Sequence, residues 1–385
     1  MTLIGRDVLV VGGGIAGMSI ARAFALRGAS VRVLEQAAEI TEVGAGIQIS
    51  PNGGRVLEAL GLAQAFAAVS DPSVAVCLKT ETGDDVLRMD LAGRGRFGLV
   101  HRADLIEILH AGAREAGVEV VTGARVCEVV QCGAGAAVVL EDGTEHRASL
   151  VVGAEGGQSP TRAFLDGART PSFTGQVAWR AVVPAPATLP REARVFMSAG
   201  RHVVLYPLRG GTLLNIVAVE ERSEWTDEGW HHMGDPDAMR ASFRAFGGPV
   251  AEGLAAVETC GVWGLHRHPV ARAWHAPGVA LVGDAAHPTL PFLAQGACMA
   301  LEDAWALVRA FAGHDEDAAA LAAYQAARRP RAVRIVNAAT ANARNYHLSG
   351  VRRVAAHTAL RVLNSVAPGL MLSRFDWLYG YDATA

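Results

Sequence analysis

The chain has 385 residues, of which 51% are hydrophobic and 19% charged, with a formal net charge of −3. That balance gives no reason to expect a nucleic-acid partner, and the length favours two domains sharing one chain. Five cysteines, at 77, 127, 132, 260 and 298, form no C-x-x-C pair and are odd in number, which reads as reduced thiols in a cytoplasm.

The N-terminus opens with a buried-type strand over 7–11, then Gly12, Gly13, Gly14, Ile15, Ala16 and Gly17, then a helical run to Gly28. Its uncharged stretch, 8–21, is too short for a bilayer and is broken by three glycines, so no integral membrane segment is expected. A second strand over 31–34 ends on Glu35, with Gln36 beside it. Glycines at 12, 14 and 17 permit a tight turn, close approach of backbone to a pyrophosphate, and close helix–strand packing. Glu35 is then placed to accept ribose hydroxyls of an adenosine half. This motif suits FAD or NAD and does not separate them.

Residues 43–50 form a Gly-rich loop, and Pro51-Asn52-Gly53 open a helix through Leu60. His101-Arg102-Ala103-Asp104 open another helix through Arg114, and 125–130 reads as a strand. Between 171 and 268 the texture changes to alternation, over 176–183, 195–197, 203–208 and 213–220, with Gly210-Gly211 as a hairpin turn. This predicts a mostly antiparallel sheet inserted before the chain returns to its first domain. Period-2 alternation puts His202 and Tyr206 on one face of one strand, roughly 13 Å apart at about 3.3 Å per residue. The gap suits a small aromatic ring. His266 and His268 lack a third ligand at useful spacing, so no metal site is expected.

Residues 278–304 run from a short apolar strand through Gly283-Asp284 and a Pro-broken loop to a helix starting near Gln295, Gly296 and Ala297. An acid at a strand end holds a sugar-like hydroxyl. The helix N-terminus beyond it offers backbone N–H groups and a positive dipole end to an anion. A cofactor with a polyol chain and an anion-forming ring suits both, and FAD has both. An Ala-rich helix over 318–327 is predicted to end near Arg329-Pro330, and a last helical region runs from Arg331 past Leu363.

These motifs resemble those of the single-component FAD-dependent aromatic hydroxylases, the group of salicylate, 3-hydroxybenzoate and 6-hydroxynicotinate monooxygenases. The likeness runs from Val8 to the end, 375–382. It implies an α/β fold: a Rossmann-like FAD-binding domain from 1–75, 98–170 and 268–345, an inserted substrate domain from 76–97 and 171–267, and a C-terminal helical region over 346–385. It places the loop with Gly46 and Ile47 beside the flavin, Arg102 at the FAD phosphate and ribityl region, and Val126 at the adenine. Asp284 binds the ribityl chain. Glycines 44, 46 and 296 would tolerate a moving flavin. His202 becomes the base on the substrate's ring hydroxyl, with Tyr206, Pro291 and Gln295 completing the catalytic set.

The family's third motif resembles 150–162, but Glu155 stands for the usual Asp, and Pro160 brings no N–H; a shifted loop is expected. The implied reaction uses NADH or NADPH and O2 to hydroxylate a small phenolic or hydroxy-heteroaromatic carboxylic acid through a C4a-hydroperoxyflavin, in a monomer or homodimer. The alternatives are another flavin oxidoreductase of this fold, or a non-catalytic FAD-binding protein. A halogenase is disfavoured, since Lys79, the sequence's one lysine, lies in the wrong region.

Overall fold

The computed structural model describes residues 3–40, 45–186, 189–224, 226, 228 and 232–385. Among these, a six-stranded sheet forms the floor of the first domain, in the order His275–Ala276, Val279–Leu281, Leu150–Gly153, Asp7–Val11, Ser30–Leu34, Glu119–Val121. Its neighbours pair in parallel, with Val8 opposite both Leu150 and Val31, except at the antiparallel His275–Ala276 edge. Val8, Val10, Val33 and Val152 are fully buried, as befits parallel strands covered on both faces. The helices Ile15–Ala25 and Gly296–Gly313 cover one face through Met18, Ile20, Leu301 and Leu307. On the other face lies an antiparallel meander of Val126–Cys132, Gly135–Leu140 and Glu145–Ala148.

The second sheet has eight strands in the order Met233–Gly234, Cys260–Arg267, Ser172–Pro184, Leu213–Glu221, Arg201–Leu208, Glu192–Ser198, Ala75–Thr80, Asp85–Asp90. It is antiparallel apart from one parallel pairing, Glu192–Ser198 with Ala75–Thr80. Arg209, Gly210 and Gly211 turn the hairpin between two of its strands, all with positive φ. One face buries Trp179, Phe196, Leu205 and Ile216 under the helices Pro236–Ser242 and Pro249–Ala255. The other face looks back at the first domain. A small sheet of Gly46–Ile49, Gly98–His101 and Ser70–Pro72 stands between the two.

The helix expected to end near Pro330 does not end there. Asp317–Tyr346 is one helix of 30 residues with Pro330 inside it. Proline removes one N–H and crowds the preceding turn, but the arginines on either side fasten the segment. Arg328 pairs with Glu302 and Asp303, Arg331 with Glu302, and Ala332 and Ile335 are buried just beyond. Tertiary packing overrides the local stop signal. The next helix, Gly350–Val366, leans on the eight-stranded sheet, where Arg361 Nε donates to the Asp85 carbonyl at 3.0 Å and Leu360 packs near Val86 and Leu87.

Pro160 proves to be the first residue of the helix Pro160–Asp166, where no backbone N–H is needed. The longer Glu155 side chain folds onto its own loop, accepting from Ser159 Oγ at 2.7 Å and from Thr161.

Candidate active site

One cavity of about 690 Å³ lies where the C-terminal ends of the parallel strands, the small sheet and the inner face of the eight-stranded sheet meet. All the predicted site residues line it except Gly17. That glycine works from beneath. A Cβ on Gly17 would lie 1.8 Å from the Gly12 carbonyl oxygen, so only glycine lets the helix meet the first turn. Gly12 itself has φ +103°, and a Cβ there would strike the Ala154 carbonyl at 2.5 Å. A Cβ on Gly14, by contrast, would meet nothing within 4 Å, and this residue lines the cavity.

The Glu35 carboxylate is held on both sides, accepting from Gly13 N–H at 2.6 Å and from Ala37 N–H at 2.8 Å. A carboxylate has about four acceptor positions, so two remain open to further donors. Gln36 and Val126 line the same end of the cavity. Arg102 begins the helix Arg102–Glu115, its backbone N–H tied to the Ala45 carbonyl at 2.8 Å. Residues 43 and 44, part of the expected flavin loop, lie outside the described residues.

Asp284 points into the cavity on the short turn Gly283–Ala285 and accepts no hydrogen bond from the described residues. Enclosure pushes its pKa up, opposed by the positive fields of His287 and Arg102. An acid so placed gains from a hydroxyl donor, which a ribityl chain supplies. Gly283 N–H donates to Asp303 at 3.0 Å, and His287 also pairs with Asp303, so the turn is anchored from below. If Asp284 holds the ribityl chain, Asp284→Ala should purify largely colourless. Retention of wild-type FAD content, read from the visible spectrum after gel filtration, would refute that role.

The helix Gly296–Gly313 starts at the cavity wall, so the first-turn amides of Gly296 and Ala297 have no helical acceptor. Gln295 caps it with a side chain spent on the scaffold. Its Nε2 donates to Ser50 Oγ at 2.9 Å and its Oε1 accepts from Asn52 at 3.0 Å. Asn52 in turn donates to Glu302 at 2.7 Å. Glu302 and Asp303 are buried carboxylates facing Arg328 at 2.7 and 2.8 Å. Burial by itself would raise their pKa values, but the surrounding cations win and both are lowered. This ionic keel was missed in the sequence reading, although both acids sit inside the 278–304 segment. An i, i+1 acid pair on a helix reads as solvated surface until a buried arginine from another helix is known to meet it.

The rest of the cavity is walled by the eight-stranded sheet. His202, Val204, Tyr206, Val217 and Val219 face it, and Pro291 and Phe292 close it from the short turn Pro291–Leu293. His202 packs against Phe292 and Tyr346, with ring centroids 5.6 and 5.2 Å apart. Burial, and to a lesser degree His347, push its pKa well below the ordinary histidine value, so it stays neutral at neutral pH. Tyr206 is buried against Gly46, and its pKa is driven upward by that burial. Gly46 N–H donates to Asn215 Oδ1 at 2.6 Å, which joins the strand Gly46–Ile49 to the eight-stranded sheet. Among the described residues of this sheet, Arg180 is the cation lining the cavity, 4.9 Å above the Trp263 ring. Arg180 was not singled out from sequence, because one arginine on an alternating strand carries no mark of which face is the inner one. His268 meets Glu228 at 2.7 Å and His266 the Gly264 carbonyl at 3.1 Å.

Comparison with known proteins agrees with this architecture. A family described as "FAD binding domain" matches residues 6–339. The chain is similar to a 3-hydroxybenzoate 6-hydroxylase of Klebsiella oxytoca, 35% identical over 97% of this chain and 96% of the relative. It is also similar to a salicylate hydroxylase of Pseudomonas putida, 31% identical over 98% of this chain and 93% of the other. Among solved structures, Klebsiella pneumoniae HpxO complexed with FAD and uric acid superposes with TM-score 0.83 at 26% identity, covering 95% of this chain and 97% of HpxO. With a glycine cradle at the sheet edge, acids at 35 and 284 and relatives matched over nearly their whole length, this chain belongs to the FAD-dependent aromatic hydroxylases.

Proposed function

We propose that the protein hydroxylates a small phenolic or hydroxy-heteroaromatic carboxylic acid, consuming NADH or NADPH and O2 and releasing water. The observation that carries this reading is a neutral, buried imidazole and a phenol on one strand, facing the same cavity as the FAD-binding half. Bound FAD, once reduced by the nicotinamide, supplies an electrophilic oxygen from O2. The chain's part is to make the acceptor ring electron-rich and to keep water out. His202 accepts the ring hydroxyl's proton through Nε2, since its Nδ1 is engaged by His347 at 2.8 Å. Tyr206 positions the ring by hydrogen bonding. Val195, Val204, Val217 and Val219 provide an apolar wall that favours an uncharged aromatic body. Pro291 shapes the roof, and Gln295 fixes the helix end through Ser50 and Asn52. A cytoplasmic setting suits the five unpaired cysteines.

Arg180 is the group we assign to the substrate carboxylate, a charge-assisted contact of about 1.5–3 kcal/mol. Arg180→Gln should therefore raise KM for aromatic acids by about 10- to 100-fold and leave KM for the matching neutral phenols nearly unchanged. Equal effects on both would exclude a carboxylate contact. The reaction itself is tested by screening phenolic acids for stimulated NADH oxidation by the FAD-loaded protein, with product analysis. Bound FAD with no stimulated turnover on any acid would favour the non-catalytic alternative.

A further inference from the structure

We propose that His347 and Glu221 form a proton exit from the active site, and that Glu221 sets which nitrogen of His202 acts as the base. This inference rests on the reading of His202 as the base. Three titratable side chains from three elements form one line. His202 Nδ1 lies 2.8 Å from His347 Nε2, and His347 Nδ1 lies 3.0 Å from Glu221 Oε1. His202 and His347 are buried, whereas the Glu221 side chain is 57% exposed. The line thus begins at the cavity wall and ends in solvent.

The tautomers follow from the far end. An ionised carboxylate only accepts, so Glu221 requires the proton of His347 on Nδ1. His347 Nε2 is then an acceptor, and the contact at 2.8 Å requires His202 to carry its own proton on Nδ1. That leaves the lone pair of His202 on Nε2, the nitrogen His347 does not occupy. A surface glutamate two hydrogen bonds away therefore decides that the buried imidazole is a base toward the cavity. Gln176 Nε2, 3.3 Å from His347 Nδ1, is a longer and uncharged competitor.

The same line conducts the charge away. When the substrate hydroxyl gives its proton to His202 Nε2, the Nδ1 proton passes to His347 Nε2 and the His347 Nδ1 proton to Glu221, which releases it to water. One proton enters and one leaves, no bond other than N–H and O–H changes, and the rings, left as Nε2–H, regain their Nδ1–H tautomers by proton exchange with water between turnovers. His347 sits at the C-cap of the 30-residue helix Asp317–Tyr346, whose negative end, like Glu221, favours a passing imidazolium against the burial that lowers the His347 pKa. Arg201, the opposing charge beside His347, faces Glu220 at 3.7 Å. Glu221 is the residue to change, because its exposure separates the relay from folding.

Selective ¹⁵N-histidine NMR of the FAD-loaded protein tests the tautomers without any substrate. His202→Ala and His347→Gln spectra supply the assignments. The wild type should show both rings as Nδ1–H, and Glu221→Leu should redistribute both. A wild-type His202 protonated on Nε2, or rings unmoved by Glu221→Leu, overturns the proposal. With 3-hydroxybenzoate as the probe, product formed per NADH consumed should fall in Glu221→Leu and return in Glu221→Asp. Loss of coupling in His202→Ala with wild-type coupling in Glu221→Leu defeats the relay alone. Full coupling in His202→Ala defeats the base itself.

Discussion

His202→Ala should consume NADH while forming little hydroxylated product. Removing a general base typically costs about 10²–10⁴-fold in the step it serves. The loss should fall on oxygen transfer, because His202 stands on the sheet wall of the cavity, whereas the glycine turn and Asp284 are the groups proposed to hold the cofactor. Oxygen already activated then escapes as hydrogen peroxide, so peroxide measured beside product gives the uncoupling directly. The pH profile provides a second check. Burial holds the His202 pKa well below 6.5, so the wild type has its base neutral throughout the neutral range and loses it only on acidification. The variant should instead gain hydroxylation as pH rises towards the phenol's own pKa, about 10 for an unperturbed phenol. Tyr206→Phe is the control: it should raise the substrate KM more than it uncouples. Hydroxylation at the wild-type rate in His202→Ala would reduce the residue to sheet surface.

The largest loss of stability should come from Arg328→Met. Arg328 is buried between Glu302 and Asp303, and removing one partner of a buried ionic cluster costs about 3–5 kcal/mol, because the remaining charges stay desolvated. Urea unfolding of the apoprotein at neutral pH should show this. The pH dependence carries a definite sign. In the wild type both acids have lowered pKa values, so they stabilise the fold above their unfolded values and lose that contribution as pH falls through the folded ones. In the variant Glu302 loses its strongest cation and Asp303 loses the cation second to His287, so both titrate higher. The penalty should therefore be greatest at neutral pH and shrink towards pH 5 as they take up protons. FAD should also be held more weakly, because Asp303 anchors the Gly283 amide and Glu302 anchors Asn52. A variant with wild-type unfolding at pH 7 would mean that His287 and Arg331 suffice to neutralise the pair.

Much of this protein was legible in one dimension, for local reasons. The proposed cofactor cradle lies within two short segments, where each glycine answers to its own backbone and each acid closes its own strand. Gly17 had to be glycine because its helix meets the turn at Gly12, a contact only five residues away. The alternation around His202 and Tyr206 likewise put both on one face before any partner strand was known. What the chain could not announce were the contacts closed by long excursions. Pro330 reads as a stop and is carried through a continuous helix, because Arg328 and Arg331 find Glu302 and Asp303 on another one. Arg180 reads as one more alternating residue until the sheet's inner face is known. His347 lies 145 residues from His202 and 126 from Glu221, and no periodicity links them. Short-range sterics and strand alternation are written in neighbouring residues. Buried charge pairing and tautomer choice depend on which distant side chain arrives, and only the folded chain decides that.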